Sequence, residues 1–142
     1  RRLIGEYVLT QKDIQLQTEI PDSIGLGFYA IDQHLARMLV LEDGSLGTEG
    51  AMTMLVSPGP WRLPYRFITP KRKECTNLLV PVCFSASHLA NAATRLESQY
   101  MIIGESSGIA AAQAEAQKAI NVIDIRPALY SLMTMDFMTG QA

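Results

Sequence analysis

The pattern of apolar and polar positions divides the chain into a β-rich first half and a helical second half. In residues 1–70, short apolar runs are separated by glycine, proline and acidic turn residues, which is typical of antiparallel strands. After residue 77, a short apolar run leads into a polar segment and then into a long stretch rich in alanine and glycine. That order predicts strand, loop and helix, and we therefore expect an α+β fold.

The first half is predicted to be mostly extended. The acidic residues before Gly44 predict a hairpin turn, and Thr10 is placed to cap a short helical turn. Gly25 and Gly27 favour a loop, because glycine adopts backbone conformations that other residues resist. The predicted extended segments are residues 1–9, 28–34, 52–56 and 61–68, and the predicted loops and turns are residues 21–27, 42–44, 47–50 and 69–74.

The second half is predicted to hold one buried strand and two helices. The apolar run at residues 78–82 predicts the strand. The first helix is expected to begin near Ser98, whose hydroxyl can accept from the free N–H groups of the first turn, and to end near Asn121. A last helix is expected at residues 128–138, because Pro127 suits the first turn of a helix.

A stripe of small residues marks one face of the long helix. Gly104, Gly108 and Ala112 recur every fourth residue, and residues four apart lie on the same helix face. Such a stripe leaves a flat surface that lets another backbone or a flat ligand come close. We expect the stripe to pack against a sheet rather than to contact a cofactor directly.

Composition narrows the class of protein. The 142 residues suit one domain, 48% of them are hydrophobic, and the net charge is −2. These values exclude a disordered or nucleic-acid-binding polyelectrolyte. Glu105 and Glu115 interrupt the Ala-rich helix, so we expect no membrane span. Cys75 and Cys83 are expected to be free thiols. Because the chain opens without Met and in the middle of a strand-like pattern, we expect it to be a piece of a longer protein.

Four separated blocks of sequence resemble the C-terminal part of a bacterial family of FAD-dependent oxidoreductases, many of them labelled xanthan-lyase-like. The blocks are RRLIGEYVLTQKDI, GLGFYAIDQH, LPYRFITPKRKECTNLLVPVCFSASH and RLESQYMIIGESSGIAAA, and the resemblance spans about residues 1–138. It implies a glutathione-reductase-like FAD-binding domain, with residues 1–70 in a β-rich substrate portion and residues 71–142 in the strand-helix-helix portion. The glycine-rich dinucleotide fingerprint of such folds is absent from this chain.

The resemblance also implies which residues lie near the flavin. The segment after the last strand would pass beside the ring, and the following helix would point its N-terminus at the pyrimidine edge, where reduced flavin carries negative charge. Arg95 would lie near that edge, and His88 would serve as the catalytic proton donor or as a hydrogen-bond partner. The implied cofactor-binding residues are Cys83, Ser85, Ala86, His88, Arg95, Ser98, Gln99, Tyr100 and Met101.

The implied activity is hydride transfer to FAD from a small polar substrate, with sugar-derived molecules as one class. We expect this chain to contribute the pyrimidine side and part of the substrate pocket, and to bind FAD weakly or not at all by itself. Its exposed apolar faces are expected to make it a homo-oligomer. No nucleic-acid partner is expected, since Lys71, Arg72 and Lys73 suit a solvated loop.

Two other classes of function remain open from the sequence. The chain could be a non-catalytic binding or oligomerisation module, or a polysaccharide lyase, which needs a Tyr or His base and no flavin. Trp61 and Tyr65 could stack on a sugar ring or could be packed anchors of a loop. No metal site is expected, because the spacing of His34, Cys83 and His88 matches no usual zinc pattern.

Purely structural roles are also open for His88, His34 and Arg95. His88 could be a purely structural hydrogen-bonded residue, and His34 could pair with Asp32. Arg95 could form a plain surface ion pair with Glu97, which would contribute little to stability.

Overall fold

The computed structural model describes residues 2–35, 37–49 and 53–116, and the structural statements below concern those residues. The fold class is α+β, as predicted, with short antiparallel strands in the first half and helices at the end of the described chain. The helix end expected near Asn121 and the helix expected at residues 128–138 lie outside the described residues.

The strands of the described chain form three antiparallel pairs. In the first, β1 (Ser23–Gly27) pairs with β6 (Trp61–Pro64). In the second, β2 (Ile31–Gln33) pairs with β5 (Thr53–Leu55). In the third, β3 (Arg37–Val40) and β4 (Leu46–Glu49) form a hairpin.

The predicted hairpin turn is confirmed. Gly44 has a φ of +81°, a conformation that favours glycine, and Asp43 Oδ1 accepts from Ser45 N at 2.9 Å. The second turn expected at residues 47–50 was wrong for its described part, because Gly47 lies in β4 opposite Leu39. There the side chain of Leu41 occupies the space that a Cβ would need. Close packing within the strand, and not a turn, therefore explains the glycine at this position.

The loop expected at residues 21–27 was also wrong, since β1 occupies most of it. A Cβ at Gly27 would overlap the ring of Trp61, and a Cβ at Gly25 would overlap the side chain of Ile102. Both glycines therefore allow neighbouring side chains to pack closely against the strand. A sequence pattern does not distinguish this use of glycine from its use in a turn.

The buried strand expected at residues 78–82 does not form. Leu78 is 47% exposed and Val82 58% exposed, and Pro81 has no N–H to give to a strand ladder. Extended pairing is found just after it, where Leu9 N donates to Ser85 O at 3.0 Å and Ser87 N donates to Leu9 O at 2.8 Å. The strand expected at residues 1–9 is reduced to a single bridge, Leu9 with Ala86.

Three α-helices and one short 3-10 helix are found in the described chain: α1 (Gln11–Ile14), a 3-10 turn (Tyr65–Phe67), α2 (His88–Thr94) and α3 (Glu97–Ala116). The predicted cap of α1 is confirmed, as Thr10 N and Thr10 Oγ1 donate to Asp13 Oδ2 at 2.6 and 2.9 Å. The helix α2 was not predicted. Its N-cap is Ser87, whose Oγ accepts from Ala90 N at 3.3 Å.

The long helix α3 begins at Glu97, so Ser98 lies inside its first turn and is not the N-cap. The face of α3 that packs against β1 is formed by Ile103, Ser106 and Ala110, and Ser106 Oγ donates to Ile24 O at 3.1 Å. The stripe expected to pack against a sheet faces away instead. Gly104, Gly108 and Ala112 are exposed, and nothing lies within 4 Å of a Cβ built at either glycine.

The core lies between β1, β6, the segment around residue 84 and the inner face of α3. Trp61, Tyr65, Phe67 and Phe84 are its large buried aromatics, and the rings of Phe67 and Phe84 are 4.8 Å apart. Within the described residues, no helix is both long and apolar enough to cross a membrane.

Candidate functional site

An open hollow of about 310 Å³ lies where the first turn of α3 meets the end of β1. Its walls are mostly apolar, with two polar side chains at one side. The lining residues are Leu26, Phe28, Tyr29, Leu96, Ser98, Gln99 and Ile102. A flat apolar molecule with one polar edge suits such a lining better than a small ion does.

The start of α3 gives this hollow a set of free backbone donors. Gln99 N and Tyr100 N both donate to Leu96 O at 3.1 Å, whereas the N–H groups of Glu97 and Ser98 have no carbonyl one turn earlier in the helix. The preceding residue, Leu96, has no side-chain oxygen with which to cap them. The helix end therefore carries a partial positive charge, which the exposed carboxylate of Glu97 offsets in part.

Gln99 fixes the position of the hollow within the fold. The residue is only 4% exposed. With its amide oriented so that the nitrogen donates, that nitrogen lies 3.2 Å from Ala93 O and 3.3 Å from Thr94 O. Gln99 thus satisfies two carbonyls at the end of α2 and joins that helix to the start of α3.

The other predicted residues of the helix start point elsewhere. Tyr100 packs toward the core, with its ring 6.0 Å from that of Phe84, and Met101 is 72% exposed. Neither residue lines the hollow. Of the helix-start residues named from the sequence, the structure therefore brings Ser98 and Gln99 together at the hollow.

The predicted residues before α2 form a separate group. Ser85 and Ala86 lie in the segment bonded to Leu9, and Cys83 O accepts from Leu3 N at 2.8 Å. His88 is the exposed first residue of α2. A helix of seven residues rises about 10 Å, so α2 separates His88 from the start of α3. None of these residues lines the hollow.

Ser85 has one unusual feature. Its side chain is fully buried, and its Oγ has no hydrogen-bond partner among the described residues. The two free thiols, Cys75 and Cys83, are half-buried and exposed respectively, so the expectation of free thiols is confirmed.

Arg95, which follows α2 and precedes Leu96, takes part in a three-residue polar cluster. Its Nη2 lies 3.4 Å from Asp32 Oδ2 and 3.4 Å from His34 Nε2. The ion pair of Arg95 therefore runs to Asp32 rather than to Glu97. His34 and Asp32 meet on this guanidinium, and Arg95 directly precedes Leu96, which lines the hollow.

A second ion pair lies just before the start of β1. Arg66 Nε and Nη2 donate to the two carboxylate oxygens of Asp22, each at 2.9 Å, and Arg66 N donates to Oδ2 at 3.1 Å. Burial alone would raise the pKa of Asp22, but the hydrogen bonds and charge of Arg66 outweigh it and lower that pKa. The same hydrogen bond raises the pKa of Arg66.

Tyr7 lies beside this pair, with the Arg66 guanidinium carbon 4.9 Å above its ring centre. Its hydroxyl donates to Asp13 Oδ1 at 2.6 Å. Burial and that hydrogen bond raise the pKa of Tyr7 well above its ordinary value, so Tyr7 stays neutral and acts as a structural donor.

Burial decides the role of the two aromatic residues for which the sequence left sugar stacking open. Trp61 and Tyr65 are 0% and 1% exposed, so they are packed anchors and cannot stack on a sugar ring. Among the residues the structure describes, no group of three or more His, Cys, Asp or Glu side chains could hold a metal ion.

Sequence reasoning missed most of the hollow's apolar wall. Leu26, Phe28, Tyr29 and Ile102 were assigned to loop, strand or helix without a role in a site. A signal was present in the aromatic pair Phe28–Tyr29 directly after Gly27, since Phe28 stays 72% exposed. Large exposed aromatics next to a glycine-rich strand end are candidates for ligand contact.

The model of a family described as FAD dependent oxidoreductase matches residues 1–131. No curated protein matches the chain. No solved structure matches it either.

Proposed function

This chain belongs to the FAD dependent oxidoreductase family, and from that premise we propose that the hollow at the start of α3 receives the pyrimidine edge of a flavin ring. The family implies use of FAD, which accepts a hydride at its ring system when bound. The observation that carries the proposal is the meeting of an apolar wall with the N-terminal turn of a long helix in one place. A flat aromatic ring with a polar, electron-rich edge needs both.

The residues present fit such a ring. Phe28 and Tyr29 offer aromatic surface, and Leu26 and Ile102 offer aliphatic surface. The free N–H groups at the start of α3 suit carbonyl oxygens and the negative charge of reduced flavin. Ser98 adds a hydroxyl that can donate or accept.

The remaining parts of the proposal rest on the sequence resemblance. We propose a glutathione-reductase-like relative in which residues 1–70 belong to a substrate portion and residues 71–142 to the flavin portion. The substrate is a small polar molecule, with sugar-derived molecules as one class. Tyr100, Met101, Cys83, Ser85 and Ala86 as flavin contacts and His88 as proton donor stay predictions, since none of them lines the hollow.

Association of copies is also part of the proposal. Several large apolar side chains of β3, β4 and β5 are exposed, including Met38 at 64%, Val40 at 74% and Leu46 at 70%. Contiguous apolar surface of this kind is usually covered by a partner. A second copy of the chain is the partner that we propose.

Equilibrium dialysis against FAD at concentrations up to the millimolar range tests the flavin proposal. We expect saturable binding weaker than micromolar for this chain. Phe28→Ala should weaken binding about fivefold to tenfold, because an aromatic contact beyond simple burial contributes about 1 kcal/mol. Phe28 is mostly exposed, so its loss should leave the fold intact.

Val56→Ala is the matched control, because Val56 is 75% exposed and does not line the hollow. It should bind FAD as the parent chain does. Micromolar or tighter binding, or equal losses in the two variants, would contradict the proposal.

A further inference from the structure

The cluster of Asp32, His34 and Arg95 joins the two halves of the chain. Asp32 and His34 come from β2 and the residues just after it, whereas Arg95 comes from the end of α2. Side chains two apart on an extended segment point to the same side, which lets Asp32 and His34 reach the same guanidinium. Both contact Arg95 Nη2 at 3.4 Å.

We propose that Asp32 and His34 are positioning residues that hold the Arg95 guanidinium between α2 and the start of α3, with His34 acting as a neutral acceptor. Neither residue was assigned a role in a flavin site. This inference rests on the proposed function for the identity of the group that Arg95 faces. That group is an electron-rich edge of the bound ring or an anionic part of the substrate.

The chemistry of the three side chains fixes the protonation of His34. Arginine carries only donors and stays protonated, so the imidazole nitrogen facing it must be an acceptor. Nε2 of His34 is therefore unprotonated and Nδ1 carries the proton. A protonated His34 would set two cations against each other at a contact distance.

Asp32 also restricts the position of the Arg95 guanidinium. Its carboxylate is 27% exposed and the Arg95 side chain 40% exposed, so the ion pair alone is largely open to solvent and holds the guanidinium weakly. A second acceptor from His34 restricts the plane of the guanidinium. Nε and Nη1 of Arg95 make no hydrogen bond to the described residues and stay available to a ligand.

The strand paired with β2 and the helix that precedes Arg95 add almost no charge near this cluster. The strand β5, which pairs with β2, has no charged residue, and the one titratable residue within α2 is His88. The positions of Arg95 and His34 are therefore set by each other and by Asp32.

The first test reads the tautomer of His34 by long-range proton–nitrogen NMR correlation on the labelled chain, with His88→Gln to assign the two histidines. We expect Nδ1–H for neutral His34 in the parent chain at about pH 8. Arg95→Ala should move the proton toward Nε2, whereas Arg37→Ala, on the hairpin, should not. An Nε2–H tautomer in the parent chain, or no response to Arg95→Ala, would overturn the proposal.

The second test measures the order of the Arg95 Nε–H bond by nitrogen relaxation. We expect an order parameter above about 0.6 in the parent chain and a loss of order in Asp32→Asn and His34→Ala. His34→Gln should preserve order because its amide oxygen also accepts, whereas His34→Lys should not. Equal order in all four variants would overturn the positioning role.

A melting curve for each variant separates loss of order at Arg95 from loss of the fold. Neither NMR readout uses flavin. Failure of the dialysis experiment with intact NMR signatures would therefore reject the proposed function and keep the cluster. The reverse result would reject the positioning role alone.

Discussion

Asp22 shows how a buried carboxylate is kept ionised at the level of a single residue. It is 8% exposed, and burial by itself favours the neutral form. The two-oxygen contact with Arg66 reverses that preference and lowers the pKa. A carboxyl whose pKa is lower in the folded than in the unfolded state stabilises the fold above its unfolded pKa of about 3.9, and that stabilisation is lost as the pH falls through its folded pKa.

We therefore expect Asp22→Asn to lower the free energy of unfolding by about 2–3 kcal/mol at neutral pH, since it weakens charged hydrogen bonds in a mostly buried pair. The difference from the parent chain should shrink below about pH 4, where Asp22 of the unfolded chain takes up its proton before Asp22 of the folded chain does. Urea unfolding at neutral and at acidic pH measures both quantities. Glu42→Gln, at an exposed turn position, is the control and should change stability by less than about 0.5 kcal/mol. A difference that is independent of pH would rule out this explanation.

Single residues also show where sequence reasoning succeeds. Thr10 and Gly44 were correctly assigned because capping and turn formation depend on neighbours a few residues away. Gly27 and Ser98 were assigned wrongly because their roles depend on Trp61 and on where α3 begins. Contacts distant in sequence leave no local pattern.

At the level of elements, α3 illustrates the same limit. Its presence was predicted from composition, but the face that it buries was not. The stripe of small residues was expected to pack, yet the helix buries Ile103, Ser106 and Ala110 instead. A mixture of small and apolar residues around the whole helix gives no strong periodic signal.

Because the stripe of small residues on α3 is exposed, the effect of adding a side chain to it can be predicted. Gly104→Ala should raise the free energy of unfolding by about 0.5–1 kcal/mol, because Ala is the better helix former and a Cβ meets nothing within 4 Å. Chemical denaturation measures the change. Gly27→Ala is the contrasting variant and should destabilise by about 1–3 kcal/mol through overlap with Trp61. Destabilisation by Gly104→Ala would mean that this face is covered.

The strand expected at residues 78–82 and the helix α2 also show how context overrides pattern. Pro81 interrupts the apolar run, and the chain instead makes its extended contacts at residues 83–87. The polar residues that suggested a loop include Ser87, which begins α2 as its N-cap. The part of the candidate site that depends on α2, namely the Arg95 cluster, was therefore only partly predictable.

At the level of the whole molecule, the β3–β4 hairpin carries much of the exposed apolar surface. Val40 lies opposite Leu46, and Met38 lies opposite Thr48, so these side chains share one face. An isolated two-stranded hairpin is marginally stable in water, and contact with a second copy would cover this face.

Light scattering on the purified chain tests that proposal. We expect a mass of at least twice 15.6 kDa, and a return toward the monomer mass for the double variant Val40→Thr, Leu46→Thr. Val82→Thr, at a position 58% exposed and away from the hairpin, should keep the larger mass. A monomer in the parent chain would contradict association through this face.

The central claim, that the flavin ring enters the hollow at the start of α3, is tested most directly by mapping amide NMR shifts of the chain during titration with FMN. We expect the largest shifts on the residues that line the hollow, above all Phe28, Ser98 and Gln99, with little change in the β3–β4 hairpin. Shifts that instead centre on the hairpin or on the exposed glycine face of α3, or that are absent at saturating FMN, would contradict it.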